Sequence, residues 1–433
     1  KRQMRYRPLS SDLYSKNREY FIKEMESGGL AIFNSNDIYP VSADSTLPFE
    51  QHRDLFYLTG IDQEETILIL FPDAADPKHR EVLFLRETNP HIAVWEGAKL
   101  TRKAARNLTG IETIYWVQDF EKVLFELAAQ CDTFYFNKNE HYRAAVETQT
   151  REDRFIEWAQ KNYPTHQSAR SNPILQKLRS VKSAAEIEQI RKACEITHQG
   201  FRRILSFVKP GVWEYEIEAE FIHEFLRHRS DGFAYEPIIA SGANSNVLHY
   251  TENKNQCQAG DLLLLDVGAS YGRYSSDMTR TIPVSGQFTP RQKAVYNALL
   301  RVKNEATKLL RPGVLWKQYH VEVGKIMTSE LLGLGLLDKA DVQNETTAKP
   351  AYKEYFMHGT SHHLGLDTHD YGLLHLPMEP NMVFTVEPGI YLPDEGFGIR
   401  LEDDVVVQAS GEPINLMAQI PLEADEIEDL MNA

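Results

Sequence analysis

Short apolar runs separated by polar stretches recur through the first part of the chain. GLAIFNS (29–35), DLFYLTGI (54–61), ETILILF (65–71) and EVLFLRE (81–87) are rich in β-branched and aromatic residues and predict strands. Leu13 to Met25 and Thr101 to Asn107 are polar with apolar residues at helical spacing and predict helices. TFYFN (133–137) predicts a further strand, followed by a helix over Tyr142 to Asn162. Alternation of this kind implies an α/β domain. At YPTHQSARSNP (163–173) the composition turns to Ser, Pro and small polar residues, which marks a boundary and sets expected domains of 1–170 and 171–433. Beyond it, LRSVKSAAEIEQIRKACEITHQGFRRIL predicts a long helix with Ser183 as N-cap and Glu186 completing a capping box.

The second part carries a weak internal repeat. FVKPGVWEYEIEAEFIHEFL (207–226) and LLRPGVLWKQYHVEVGKIMTSEL (309–331) share a helix end, a Pro-Gly-Val turn, a nearby Trp and a second helix. Each then leads to an apolar strand ending on a carboxylate and a glycine, Asp266 with Gly268 in LLLLDVG and Glu387 with Gly389 in MVFTVEPG. Each continues into a turn and a second strand bearing another acid, Asp277 in SSDMTRT and Glu402 in GIRLEDDVVV. Apolar strands often end on acids and glycine turns, so each match alone is ordinary. Two like halves about a pseudo-twofold axis, however, bring four carboxylates together where the halves meet.

Composition narrows the partners. The 433 residues carry a formal net charge of −15, which argues against sequence-independent nucleic-acid binding, since that needs a basic face to displace counterions. Small molecules, peptides or proteins are the expected partners. Cys131, Cys194 and Cys257 are odd in number and form no CxxC pair, so they read as free thiols in a reducing cytoplasm, neither a disulfide framework nor a thiolate zinc site. The start, KRQMRYRPLSSDLYSKNREYF, lacks a continuous apolar stretch, and runs such as TILILF are far short of a membrane span. Lys1 is no initiator, which points to Met4 or a methionine upstream as the start.

Four acids converging among apolar strands repel one another, and their pKa values rise unless cations neutralise them. A pair of divalent metals about 3.5–4 Å apart, bridged by carboxylates, answers that and can hold a water or hydroxide as a hydrolytic nucleophile. Oxygen-rich ligation with one imidazole suits Mn²⁺, with Co²⁺, Fe²⁺ and Zn²⁺ as alternatives. The imidazole has several sources, because MHGTSHHLGLDTHDYG (357–372) holds four of the fifteen histidines beside two aspartates. His358 and His362 have zincin spacing, but Gly359 stands where the H-E-x-x-H base belongs, and Gly359, Thr360, Ser361 and Gly365 make a poor helix. A mononuclear zincin is therefore disfavoured. Each histidine taken singly is better explained as a surface or core residue than as a ligand. Their company is informative, since His249 in LHYTEN precedes Asp266 and the cluster precedes Glu387.

The ordered set LHYTEN, LLLDVGASYGRYSSDMTRT, HGTSHHLGLDTHD and FTVEPGIYLPDEGFGIRLEDDVVV resembles the pita-bread metallopeptidases, most closely the Xaa-Pro aminopeptidases, with prolidases next. The resemblance is strong from about Pro173 onward and looser through PFEQHRDLFYLTGI and Trp95 in VWEGAKL. It implies an α/β creatinase-like N-terminal domain and an α+β pita-bread catalytic domain with an internal pseudo-twofold repeat. By resemblance, Asp266, Asp277, His362, Glu387 and Glu402 are the metal ligands of two divalent ions, with Asp277 and Glu402 bridging. His249, His358 and His369 match histidines that line the substrate pocket, and Arg400 an arginine near the bound peptide. His369 is then a donor to the oxyanion and Glu387 a proton shuttle to the leaving nitrogen. The implied reaction is release of the N-terminal residue from peptides with proline second. The alternatives are a prolidase limited to Xaa-Pro dipeptides and a non-catalytic peptide-binding relative. A homodimer or homotetramer is implied, with Trp95 either stacking on substrate from a neighbouring subunit or buried as an ordinary core residue. Thr360 and His363 depart from the usual family residues. His363, and His375 beyond it, are expected to pack or face solvent without binding metal.

Overall fold

The computed structural model describes residues 5–144 and 147–433. The chain forms two compact units, one ending at Leu178 and the other running from Arg179 to Ala433, so the division falls within the helix Asn172–Ser180. Met4, Ala145 and Val146 lie outside the described residues.

The first unit is built on a six-stranded mixed sheet. Its order is Thr113–Trp116, Glu81–Leu85, Ile67–Leu70, Gly29–Asn34, Thr133–Phe136, Gln167–Arg170. The strands Glu81–Leu85, Ile67–Leu70 and Gly29–Asn34 pair antiparallel, and the remaining neighbours pair parallel. Ile67–Leu70 and Gly29–Asn34 are buried along their whole length, which is why they read as continuous apolar runs without alternation. One expected strand is not a strand. DLFYLTGI forms the helix Arg53–Thr59, started by the His52 side chain, which accepts from the Asp54 amide, and stopped by Gly60 in the left-handed conformation at φ 69°. Residues 54–59 are all buried, so the segment has no polar face to betray a helical period. The helix expected over Tyr142 to Asn162 starts only at Arg151, where Thr150 and Asp153 form a capping box. Trp95 sits on the helix Pro90–Glu96 and is 80% exposed, which rules out the core reading of this residue.

The second unit shows the expected duplication. Helices Ala184–Phe207 and Glu214–Arg227 precede the antiparallel strands Leu262–Asp266 and Thr279–Pro283. Helices Pro290–Lys308 and Trp316–Gly333 precede the antiparallel strands Val383–Val386 and Asp403–Val406. The long helix starts as its sequence predicts, with Glu186 N–H donating to Ser183 Oγ at 3.3 Å and Ser183 N–H to Glu186 Oε2 at 2.8 Å. The two glycines that follow the strand-end acids are required sterically. A Cβ on Gly268 would lie 1.9 Å from the Ser276 carbonyl oxygen, and one on Gly389 would lie 2.5 Å from Tyr391 Oη. Each hairpin can therefore fold its second acid back toward its first.

The halves join along residues 277–281 and 400–404, which run antiparallel with a constant register. Asp277 N–H donates to Asp404 Oδ2 at 2.9 Å, Glu402 N–H to Thr279 O at 3.0 Å, and Thr281 Oγ1 to Arg400 O at 3.0 Å. The contacts are reciprocal in the manner of a twofold. The residue two beyond Asp277, Thr279, bonds the Glu402 side chain, and the residue two beyond Glu402, Asp404, bonds the Asp277 amide.

Candidate metal centre

Asp277, His362 and Glu402 lie closest together, each offering a ligand atom within 4.8 Å of the others, and all three are buried. His362 Nε2 is 3.4 Å from Asp277 Oδ2 and 3.4 Å from Glu387 Oε1. Asp266 closes the group through Tyr235, whose hydroxyl lies 2.7 Å from both Asp266 Oδ1 and Asp277 Oδ1 and has one proton to share between them. The five side chains singled out as ligands thus converge, the four acids from the strand hairpins of both halves and His362 from an irregular segment.

Local geometry prepares several of them to bind a cation. The His362 amide donates to Thr385 Oγ1 at 3.1 Å, and its Nδ1–H donates to the His363 carbonyl at 2.8 Å, which leaves the Nε2 lone pair aimed at the acids. Glu402 Oε2 accepts from Thr279 Oγ1 at 2.6 Å, while Oε1 is buried and has no partner among the described residues. Burial raises the Glu402 carboxyl well above its usual range, with the charges of Asp277, Glu387 and Asp266 adding to the effect. Glu387 is raised to about 7, again by burial first and then by Asp277 and Asp266 against the pull of His362 and Arg400. Burial and Asp277 raise Asp266 as well, in spite of Arg400. Asp277 goes the other way, because the hydrogen bond and charge of His362 outweigh its burial. Burial alone would lower His362, but Asp277 and Glu387 raise it. Crowded carboxylates with raised pKa values, an orphaned oxygen and an oriented imidazole fit a divalent cation site.

The other predicted residues divide. Arg400 is buried and donates to Asp266 Oδ2 from Nε at 3.2 Å and from Nη2 at 2.7 Å, so its guanidinium is committed to a ligand carboxylate. Its Nη1 donates to Tyr391 Oη at 2.9 Å. That hydroxyl lies 2.7 Å from His358 Nε2, and His358 Nδ1 lies 2.8 Å from the Gly359 carbonyl. A carbonyl can only accept, so Nδ1 carries the hydrogen and Nε2 accepts from Tyr391. The ring is neutral, pushed down to about 3 by burial and by the Arg400 charge. His249 sits in an exposed turn, near enough for its charge to depress His358 further. His369 is exposed, with its ring edge-on to His362 at 4.5 Å between centroids. His363 is buried, stacked on Trp316 at 6.1 Å and packed on Phe384 at 4.5 Å, and His375 is exposed.

Tyr235, Tyr391, Thr279, Thr385 and Asp404 all touch this centre and were missed in the sequence. Thr279 and Asp404 had a signal, standing two residues beyond the paired acids of the repeat. Tyr235 had none, since it reaches the acids from a segment with no motif of its own, whereas Tyr391 stands in the quoted FTVEPGIYLPDEGFGIR stretch and bonds Arg400 and His358.

Comparison with known proteins agrees with this geometry. Residues 188–409 match the model of metallopeptidase family M24, and residues 14–135 match the aminopeptidase P N-terminal domain. The chain is 35% identical to the Xaa-Pro aminopeptidase of Escherichia coli K12, covering 98% of both proteins. It is 31% identical to Xaa-Pro aminopeptidase 3 of Homo sapiens, covering 92% of this chain and 79% of that one. Among solved structures, the zinc-substituted E. coli aminopeptidase P in complex with product superposes with TM-score 0.86 at 33% identity, covering 98% of this chain and 99% of that one. The Pseudomonas aeruginosa aminopeptidase PepP superposes with TM-score 0.88 at 30% identity, covering 98% of each. With an α/β N-terminal unit, a duplicated catalytic unit and a buried group of metal-ligating side chains where the halves meet, the chain belongs to the M24 metallopeptidases, as a hydrolase of the aminopeptidase P type.

Proposed function

We propose that the chain releases the N-terminal residue from peptides with proline in the second position, using two divalent ions held by Asp266, Asp277, His362, Glu387 and Glu402. The observation that carries this reading is the cluster of buried acids in which Glu402 Oε1 has no donor among the described residues. When bound, the ions, Mn²⁺ by the oxygen-rich donor set, supply charge that polarises a carbonyl and acidifies a water. Asp277 and Glu402, one from each half and the most buried of the four acids, would be the pair shared between the ions. His362 with Glu387 completes one side and Asp266 the other.

The chain's own groups then divide the proton and charge work. Glu387 keeps 20% of its side chain exposed against 7% for Asp277 and 4% for His362, so it is the ligand most open to a substrate. Its carboxylate, open on the substrate side, can take a proton and deliver it to the leaving nitrogen. His369, exposed and edge-on to His362, is the donor toward the carbonyl oxygen as charge develops. Arg400 holds Asp266 and, through Tyr391, the neutral His358, leaving His249 and His358 to line the proline side. The bond before proline is a tertiary amide with no N–H, so a site that makes no hydrogen bond there accepts it where general aminopeptidases do not. The relatives named Xaa-Pro aminopeptidases support this substrate class.

Exposed Trp95 and Val94, with exposed Ile38, Tyr39, Val41 and Leu47 in the same unit, support a homodimer or homotetramer. Three buried free thiols suit a reducing cytoplasm. Among the described residues no helix is long and apolar enough to cross a membrane. Turnover of Ala-Pro-Ala, Ala-Pro and Ala-Ala-Ala by the Mn²⁺-loaded protein tests the reading. Hydrolysis of Ala-Pro-Ala alone is expected. Cleavage confined to Ala-Pro would make the chain a prolidase, and no hydrolysis of any of them would make it a non-catalytic relative.

A further inference from the structure

The stretch that carries His362 and His369 also carries Asp367 and Asp370, which the metal chemistry leaves unused. His369 lies in a segment, 364–373, with neither helix nor strand, so the backbone ladder does nothing to aim its ring. Side chains supply the constraint. Asp370 accepts through Oδ1 from Arg179 Nη2 at 2.6 Å and through Oδ2 from Lys182 Nζ at 2.9 Å, while its amide donates to the His363 carbonyl at 2.9 Å. Arg179 Nη2 also donates to Asp367 Oδ2 at 2.7 Å, and the guanidinium covers the Tyr371 ring at 4.3 Å. Both flanks of His369 are therefore tied to two cations three residues apart.

Those cations are themselves held. The Lys182 amide donates to Asn381 O at 3.0 Å, and the next residue, Ser183, caps the long helix. The fit leaves no slack, because a Cβ on Gly365 would lie 2.2 Å from Asp370 Oδ2 and 2.8 Å from Lys182 Cε. The side chains of Arg179, Lys182 and Asp370 are all but inaccessible, and ion pairs buried so deeply are poor sources of net stability. What such a pair does supply is fixed geometry.

We propose that Arg179, Lys182 and Asp370 form a positioning network that sets the imidazole of His369 for reaction. The proposal rests on the reading above that His369 acts on the substrate carbonyl. The test uses full-length protein loaded with Mn²⁺, comparing wild type, Asp370→Asn, His369→Ala and the double variant for kcat and KM on Ala-Pro-Ala, metal content and Tm. A misplacement of about 1 Å costs about 10²-fold in rate, so Asp370→Asn is expected to lower kcat by about that factor with KM and metal content unchanged. In the His369→Ala background the same change is expected to cost little, because the ring it positions is gone. Gly365→Ala, which keeps every charge and intrudes on the pair, is expected to reproduce the kcat loss, and it takes the place of Asp370→Asn should that variant not fold. Equal losses in both backgrounds, or loss of metal from Asp370→Asn, would overturn the proposal. So would an unchanged kcat in Asp370→Asn and Gly365→Ala beside a large loss in His369→Ala, and that outcome would leave the role of His369 standing. An unchanged kcat in His369→Ala would instead remove the underlying reading and the network with it.

Discussion

Glu402 and Asp403 are consecutive, each 1% exposed, and face opposite sides of an extended chain. Asp403 accepts from Arg280 Nη2 and Asn415 Nδ2 at 2.7 and 2.9 Å and pairs with Lys303, and these two cations hold its carboxyl far below its usual range in spite of burial. Glu402 meets a threonine hydroxyl, an unfilled oxygen and three other acids, and its carboxyl is raised. Sequence places the two acids side by side, and burial is the same for both. Only the supply of protein cations differs. Arg280 and Lys303 neutralise Asp403, whereas at Glu402, on the reading proposed above, that charge would come from a metal.

That contrast can be broken from either side. The largest effect is expected from Asp277→Ala on the cation-poor side, which should halve or empty the metal content by elemental analysis. Its activity loss should exceed the roughly 10- to 100-fold that an outer-shell partner costs. Metal retained at full stoichiometry would show that the acids are not the site. On the cation-rich side, Lys303→Met strands part of the Asp403 charge and should cost about 3–5 kcal/mol in chemical denaturation, while metal per folded molecule stays at the wild-type level.

A pH series sharpens the comparison without mutation. Glu387 sits near 7 in the folded, metal-free protein against about 4.5 when unfolded, so this group favours folding most below pH 4.5, and that contribution fades as pH rises toward and through 7. Metal binding must displace that proton. The rise in Tm on adding Mn²⁺ should therefore be larger at pH 8 than at pH 5.5, with apparent affinity gaining about tenfold per pH unit for each proton released. A Tm increment that is flat with pH would count against the raised carboxyls. The smallest effect is expected from Thr279→Val, which removes one hydrogen bond from Glu402. It should cost about 1 kcal/mol, or about fivefold in metal affinity by competition with a chelating dye.

Much of the catalytic unit was legible because its signals are local or repeated. The Ser183 capping box, the Pro-Gly-Val turns and the strand-acid-glycine pattern each act over a few residues, and the duplication let two weak patterns support one another. The five ligand candidates could be named that way, with the family resemblance selecting His362 among four histidines. What stayed hidden depends on partners distant in the chain. Tyr235 reaches Asp266 and Asp277 over 31 and 42 residues that no local spacing links, and the Arg400 guanidinium is held by Asp266, 134 residues away. In the first unit the error at DLFYLTGI had another cause. A short helix buried all round shows no period, and its start is marked by a histidine, an uncommon cap.

The pairing of 277–281 with 400–404 has a consequence for how the protein is made. Its hydrogen bonds join residues 119 to 127 apart in sequence. Chains emerge from the ribosome N-terminus first, so both aspartates are out and their hairpin is complete long before either glutamate exists. Until Asp404 appears, Asp277 lacks the carboxylate that accepts from its amide. The buried group of Asp277, His362 and Glu402 is therefore complete only when nearly the whole chain has been made.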